Sequence, residues 1–156
     1  MQTSASEELW PAEWWPATEN RYAQREGGIV IAFDVNVSPA GASIVAAFPQ
    51  GEKWHVDLIE YQSGESSLWI LPRLRELISK HRILAVASAG GGPARAIMPD
   101  IKALCADRLV SFRQMTSQDM GAAAGLLYDQ LRTKTMTHGA SEALDTAVRG
   151  LSLIHI

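Results

Sequence analysis

Period-two and near-continuous apolar patterns fill the first half of the chain, and 3.6-residue spacing takes over in the second. Gly28-Ile29-Val30-Ile31-Ala32-Phe33-Asp34-Val35 predicts a strand over about Ile29 to Val35, and Ala42 to Phe48 predicts a second. Between them, Ser38-Pro39-Ala40-Gly41 has the turn chemistry that folds two strands into a hairpin. After the Pro49-Gln50-Gly51-Glu52 turn, Lys53 to Tyr61 alternates and predicts a third strand. Trp54, Val56 and Leu58 lie on one side, with His55, Asp57 and Glu60 largely on the other. Leu68, Leu71, Leu74, Leu77 and Ile78 recur at helical spacing over Ser67 to His81, which turns Arg73, Arg75, Lys80 and Arg82 toward solvent. Ile83 to Ala87 is short and wholly apolar, the pattern of a parallel strand buried on both faces. The glycines up to Gly92 then lead into a helix from about Pro93 to Cys105, because proline suits a first helical position. Arg108 to Phe112 predicts another strand, and Ser117 to Arg132 and Ser141 to Leu151 predict two more helices.

Three antiparallel strands followed by strands alternating with crossover helices (βββαβαβα) predict an α/β fold, a mixed sheet flanked by helices. A doubly wound sheet alternates strand and helix from its start, so a ribonuclease-H-like topology fits this order better. The domain is expected over residues 28–150. Residues 1–27 read differently: Leu9-Trp10-Pro11-Ala12-Glu13-Trp14-Trp15-Pro16 packs three tryptophans and two prolines into eight positions. Proline interrupts regular structure, so this stretch is expected to form an arm or linker with at most a short helix. Its indoles are expected to dock on a neighbouring surface, since no basic residues flank them as a base-stacking role would ask.

Composition narrows the classes. With 156 residues, 47% of them hydrophobic, the chain suffices for one domain with its own core. No apolar run approaches the roughly 20 residues of a membrane span, and Met1 is followed by polar residues rather than a secretory signal, so no membrane association is expected. The single cysteine, Cys105, excludes an internal disulfide and fits a reducing cytoplasm; its helical setting suggests a buried small hydrophobe. A net charge of −3 argues against affinity gained mainly by neutralising phosphates. A nucleic-acid partner would have to be met locally, through a metal, or with the help of another domain or chain.

Asp34 changes the picture most. A carboxylate inside an Ile/Val/Phe run is costly unless a metal, a set of hydrogen bonds or a cation satisfies it. Two readings stay open: the residue ends its strand and caps its own turn, or it is presented at the strand end as an ion ligand. The glycine-rich corner from Ser88 to Pro93 invites an anion at a helix N-terminus, but it has no Gly-Lys-Ser/Thr and no complete dinucleotide fingerprint. His138 reads as a surface or edge-strand histidine ahead of a base or ligand. Asp119 and Asp129 read as solvated helix charges, and Asp57 as the partner of Lys53 or Arg25.

Four pieces in order carry a resemblance. They are Phe33-Asp34-Val35-Asn36-Val37-Ser38-Pro39 with Ala42-Ser43-Ile44; Gly91-Gly92-Pro93-Ala94 with Ile97-Met98-Pro99-Asp100-Ile101; Ser117-Gln118-Asp119-Met120 with Ala122-Ala123-Ala124; and His138 with Leu144-Asp145-Thr146-Ala147-Val148. Over roughly residues 27–150 the chain resembles the nuclease domain of the large terminase subunit of tailed bacteriophages, particularly those of actinobacterial phages. The resemblance implies a ribonuclease-H-like fold and a metal-dependent endonuclease that cuts concatemeric viral DNA during packaging. It implies two Mg2+ or Mn2+ ions held by converging carboxylates roughly 4 Å apart. The implied partners are double-stranded viral DNA, an ATPase domain on the N-terminal side, a small subunit and a portal protein, in the cytoplasm of the bacterial host.

On that resemblance Asp34 matches the first-strand carboxylate and is the expected bridging ligand. The second acid of the family stands just before the Gly-Pro-Ala turn, where this chain has Ala89, or Ser88 by a one-residue shift. Neither supplies an anionic oxygen, so the resemblance implies impaired two-metal binding and an activity weakened to match. The family's third acid lies in a C-terminal segment that this chain does not reach. Asp145 is a candidate second ligand, with a first-turn charge favouring its helix dipole as the simpler alternative. Residues 151–156, Leu-Ser-Leu-Ile-His-Ile, are expected to be a non-native or truncated tail. No Walker-type phosphate loop is present. Two alternatives stand beside the nuclease. One is a catalytically inactive assembly module of the packaging machine. The other is half of an actin-like or sugar-kinase fold, whose Asp-x-Gly-x-Thr hairpin is here disrupted by Asn36 and Ser38.

Overall fold

A computed structural model of the protein describes residues 9–25, 27–37, 40–64 and 66–149. Six strands form one sheet in the order β5-β4-β1-β2-β3-β6. β1 (Ile29–Val37), β2 (Ala40–Gln50) and β3 (Lys53–Ser63) make the antiparallel meander; β4 (Ile83–Ser88) and β5 (Ser111–Gln114) add in parallel beside β1; β6 (Met136–His138) adds in parallel beside β3. Around the sheet lie α1 (Trp14–Ala17), α2 (Ile70–Lys80), a 3-10 turn (Gly92–Ala96), α3 (Met98–Asp107), α4 (Ser117–Thr133) and α5 (Glu142–Arg149). This is the ribonuclease-H-like mixed sheet that the order of patterns predicts. Ser38 and Pro39 of the hairpin turn lie outside the described residues, as do the start of the arm and the 151–156 tail.

The period-two pattern decides which face of the sheet is dry. Ile29, Ile31, Phe33 and Val35 of β1 are buried together with Ile44, Ala46 and Phe48 of β2, under Leu74 and Leu77 of α2 and Ile101, Leu104 and Cys105 of α3. Each such side chain contributes about 1.5–3 kcal/mol of burial free energy, which makes this layer the main source of stability. Cys105 is buried here as expected, and burial pushes its thiol pKa up, which favours the thiol over the thiolate. Asp34, Ser43 and Val45 belong to the opposite face. α4 leaves β5 at one edge and delivers the chain to β6 at the other. Its Leu127 and Leu131 pack with Val56 of β3 on the Asp34 face, and its N-terminal half, with Met120 and Leu126, is exposed.

Several expectations are corrected. α2 begins at Ile70 rather than Ser67, and Leu68, expected on its apolar face, is exposed. The helix expected over Pro93 to Cys105 is two pieces: a short 3-10 turn, then α3 from Met98. Pro99 lacks an N–H, so it suits the first turn of a new helix and not the interior of one continuing from Pro93. β5 starts at Ser111 because α3 runs on to Asp107 and Leu109 turns the chain at φ 56° before Val110 re-enters the core. β4 takes the parallel position beside β1, but only one of its faces is dry: Leu84 is 47% exposed. On β3 the two sides exchange roles: His55, in register with Phe48, is 1% exposed and Trp54 is 45% exposed. The imidazole tolerates the dry side because it satisfies both nitrogens there, accepting or donating with Thr137 Oγ1 at 2.7 Å and donating to Asp57 Oδ1 at 2.9 Å. Asp57 therefore pairs with His55, not with Lys53 or Arg25.

Candidate metal centre at the head of the central strand

Asp34 stands where β4 leaves β1. The last pair of that parallel ladder is Ala32 with Ala87, so two residues further on Asp34 and Ala89 are level and share a face. The alternation in β4 settles the one-residue ambiguity: Ser88 is buried on the other face, where its hydroxyl accepts from the Gly90 N–H at 3.3 Å. The position beside Asp34 is thus Ala89. The chain then turns through Gly90 at φ 73°, where a Cβ would come within 2.8 Å of Met98 Cε and where the left-handed backbone independently favours glycine. On the other side of Asp34 the antiparallel register sets Ser43, and beyond it Tyr61, on the same face. The Tyr61 ring lies over Gly41, where a Cβ would meet its hydroxyl at 2.8 Å.

The Asp34 carboxylate is exposed, and among the described residues it has no hydrogen bond or ion pair. The turn-capping alternative therefore finds no support in a bond within the described residues. The glycine corner is not an α-helix N-terminus either, since it leads into five residues of 3-10 turn.

Asp145 has a different setting. Its Oδ1 accepts from the Trp15 indole N–H at 2.8 Å, and Trp15 stacks on His138 with ring centroids 3.6 Å apart and planes 5° off parallel. His138 Nε2 lies 2.7 Å from the Trp15 carbonyl and its backbone N–H donates to Thr18 at 3.0 Å, so the arm is clasped onto β6. The arm thus docks its indoles as expected, and His138 is an edge-strand residue, though fully buried. β6 pairs with Trp54–Val56, whereas Asp34 is level with Tyr61. Three strand spacings across and about five residues along separate Asp34 from His138 by roughly 20 Å. The two candidate acids are not brought together. Asp119, expected to be merely solvated, closes the capping box of α4 with Thr116 and accepts from Arg113 Nη2 at 3.0 Å. Hydrogen bonding from the Thr116 backbone, and then from Arg113, holds its carboxyl below the usual range. Asp129 pairs loosely with Arg132 on an exposed face. Among the described residues no group of three or more His, Cys, Asp or Glu could hold a metal ion.

Sequence reasoning missed Arg113. It lies level with Ala87 on β5, on the Asp34 face, whereas its neighbour Phe112 packs into the core on the other. The signal was the alternation itself, hidden because the strand was expected to end at Phe112. A cavity of about 470 Å3 lined by Ile29, Phe48, Leu77, Asp57 and His81 lies at the opposite end of β1 and on the opposite face, so it is no part of this mouth.

The fold has known counterparts. The crystal structure of the HK97 bacteriophage large terminase superposes at a TM-score of 0.67 with 11% identity, over 90% of this chain and 36% of that one. The chain has the terminase nuclease fold. The human cytomegalovirus terminase nuclease domain, manganese-soaked and inhibitor-bound, matches at a TM-score of 0.59 and 11% identity over 93% of this chain and 86% of that one. The same domain manganese-soaked gives 0.51, again at 11% identity, over 85% and 78%. No protein-family model matches the chain, and no curated protein sequence matches it. The chain spans about a third of the HK97 protein, and no helix among its described residues is long and apolar enough to cross a membrane.

Proposed function

We propose that this chain works as the nuclease module of a terminase-type DNA-packaging machine, meeting double-stranded viral DNA at the Asp34 mouth through a bound Mg2+ or Mn2+ ion. The observation that carries the reading is an exposed, unpaired carboxylate at the head of the central strand of this fold. Mg2+ is commonly held by one or two carboxylates, with waters and substrate phosphates completing its shell, and Asp34 beside the Ser43 hydroxyl fits such a set. Bound there, the ion would supply positive charge to a phosphodiester oxygen. The two-ion arrangement does not fit the residues present, because Ala89 offers no oxygen and Asp145 is committed to Trp15. Asp145 is a structural carboxylate on this reading, and cleavage is slow. The manganese-soaked cytomegalovirus domain supports the choice of ion. Partnership with an ATPase domain, a small subunit and a portal, in the host cytoplasm, follows from the same reading.

The test is nicking of supercoiled plasmid in Mn2+. Slow nicking by the wild type and none by Asp34→Asn is expected, and undiminished nicking by Asp34→Asn would remove the residue from the reaction. A second reading, an inactive assembly module, draws on the lack of any three-ligand cluster among the described residues. It predicts DNA binding with no nicking at any Mn2+ concentration.

A further inference from the structure

A phosphodiester approached by one metal ion still carries uncompensated charge, and in a two-metal site the second ion supplies the balance. Among the described residues the Asp34 mouth has no second carboxylate to hold another ion, yet it has a cation on the same face. In the row Ala32–Ala87–Arg113 the β5 residue faces the same side as Asp34, two strands across and two residues below its level. That places the two α-carbons about 12 Å apart, a span within which an ion held by Asp34 and an outstretched guanidinium would reach one phosphate. The Arg113 side chain is 68% exposed, and among the described residues it is engaged by Asp119 through Nη2 alone, which leaves the rest of the planar fork for a phosphate. The Asp119 contact also orders the guanidinium, because Asp119 is itself fixed by the Thr116 capping box. Of the other arginines on elements with described side chains, Arg73 is engaged by Glu60 and Glu76, Arg75 is on α2, which covers the opposite face of the sheet, Arg132 pairs with Asp129 on α4, and Arg95 is exposed on the 3-10 turn past the glycine corner, outside the row of strand residues that Arg113 belongs to.

We propose that Arg113 is the second positive group of this site, gripping the DNA phosphate that the Asp34-held ion engages, so that the centre is mononuclear with an arginine in place of the second metal. The proposal rests on the nuclease reading above. It also accounts for how a chain of net charge −3 meets a polyanion: the contact is local and concentrated at one mouth.

The experiment measures duplex binding against salt concentration, together with Mn2+ stoichiometry by paramagnetic resonance, for the wild type and for Arg113→Gln, Arg113→Lys, Asp34→Asn and Arg75→Gln. The wild type is expected to take up one Mn2+. Arg113→Gln should weaken duplex binding about tenfold and lower the salt slope by about one, uniformly across sequences, with the Mn2+ count unchanged. Arg113→Lys should keep the slope, which separates charge from folding. Arg75→Gln should change nothing. An unaltered slope in a folded Arg113→Gln protein, or two Mn2+ ions on the wild type, would overturn the proposal and leave the nuclease reading standing. Loss of the Arg113 effect on slope is a separate result from Mn2+ uptake that persists in Asp34→Asn, which would defeat the nuclease reading itself.

Discussion

Two ends of one sheet face hold the two acids that stand out in the sequence, and they treat them oppositely. At the β6 edge Asp145 belongs to a closed set: it accepts from Trp15, which stacks on His138, whose nitrogens in turn lie against the carbonyls of Trp15 and Gly139. At the head of β1 Asp34 stands exposed beside Ser43 and Ala89, with neither hydrogen bond nor ion pair among the described residues. A carboxylate that accepts from a donor inside the protein helps to hold the protein together. One left open beside an apolar strand stabilises nothing and is available to a ligand. Asp57, paired with buried His55, and Asp119, in its capping box, side with Asp145.

The contrast is broken most severely at the closed end. Trp15→Ala removes a buried indole, its stack on His138 and the donor to Asp145, and it undoes the clasp of the arm on β6. A loss of about 3 kcal/mol is expected, at the lower end for a tryptophan truncation because the arm is peripheral. Urea unfolding measures it. A cost under about 0.5 kcal/mol, the size of an ordinary surface change, would mean that the arm is not part of the folded unit.

The fold was legible because its signals are local and repeated. The hairpin, the alternation over β1 and β2 and the helical spacing of Leu71, Leu74 and Leu77 each point one way, and their order selects the topology. What stayed hidden depended on tertiary partners. His55 and Trp54 fall on opposite sides as expected, but which of the two sides is dry stayed hidden, because a buried imidazole with two partners looks no different in sequence from an exposed one. β6 is three residues long, too short for any periodicity. Of the site, Asp34 was visible as a polar residue in an apolar run, and the gap at Ala89 through the family pattern. Arg113 was not, because the alternation that sets it opposite core-facing Phe112 lies past the expected end of that strand, and its row with Ala87 and Ala32 follows only from the strand register.

A milder change sharpens the comparison with matched chemistry at both ends. Asp145→Asn keeps the shape but trades a charged acceptor of the indole N–H for a neutral one, with a loss of up to about 2 kcal/mol. Asp34→Asn should leave stability within about 0.5 kcal/mol of the wild type while abolishing Mn2+ uptake. Paired denaturation curves decide: equal losses would erase the distinction between a structural and an available carboxylate.

Acid titration reaches the smallest effect and tests the same division without choosing a metal. Asp119 has a folded-state pKa below its unfolded value, first through the Thr116 backbone N–H and then through Arg113. The stability it contributes is therefore fully present above the ordinary aspartate value of about 3.9 and is lost as pH falls through the lower folded value. Thr116→Ala, which removes the reciprocal half of the capping box, should cost about 1 kcal/mol at neutral pH. It should also flatten the acid limb of the stability curve, because the Asp119 carboxylate then has a less ordered N-terminus to bond.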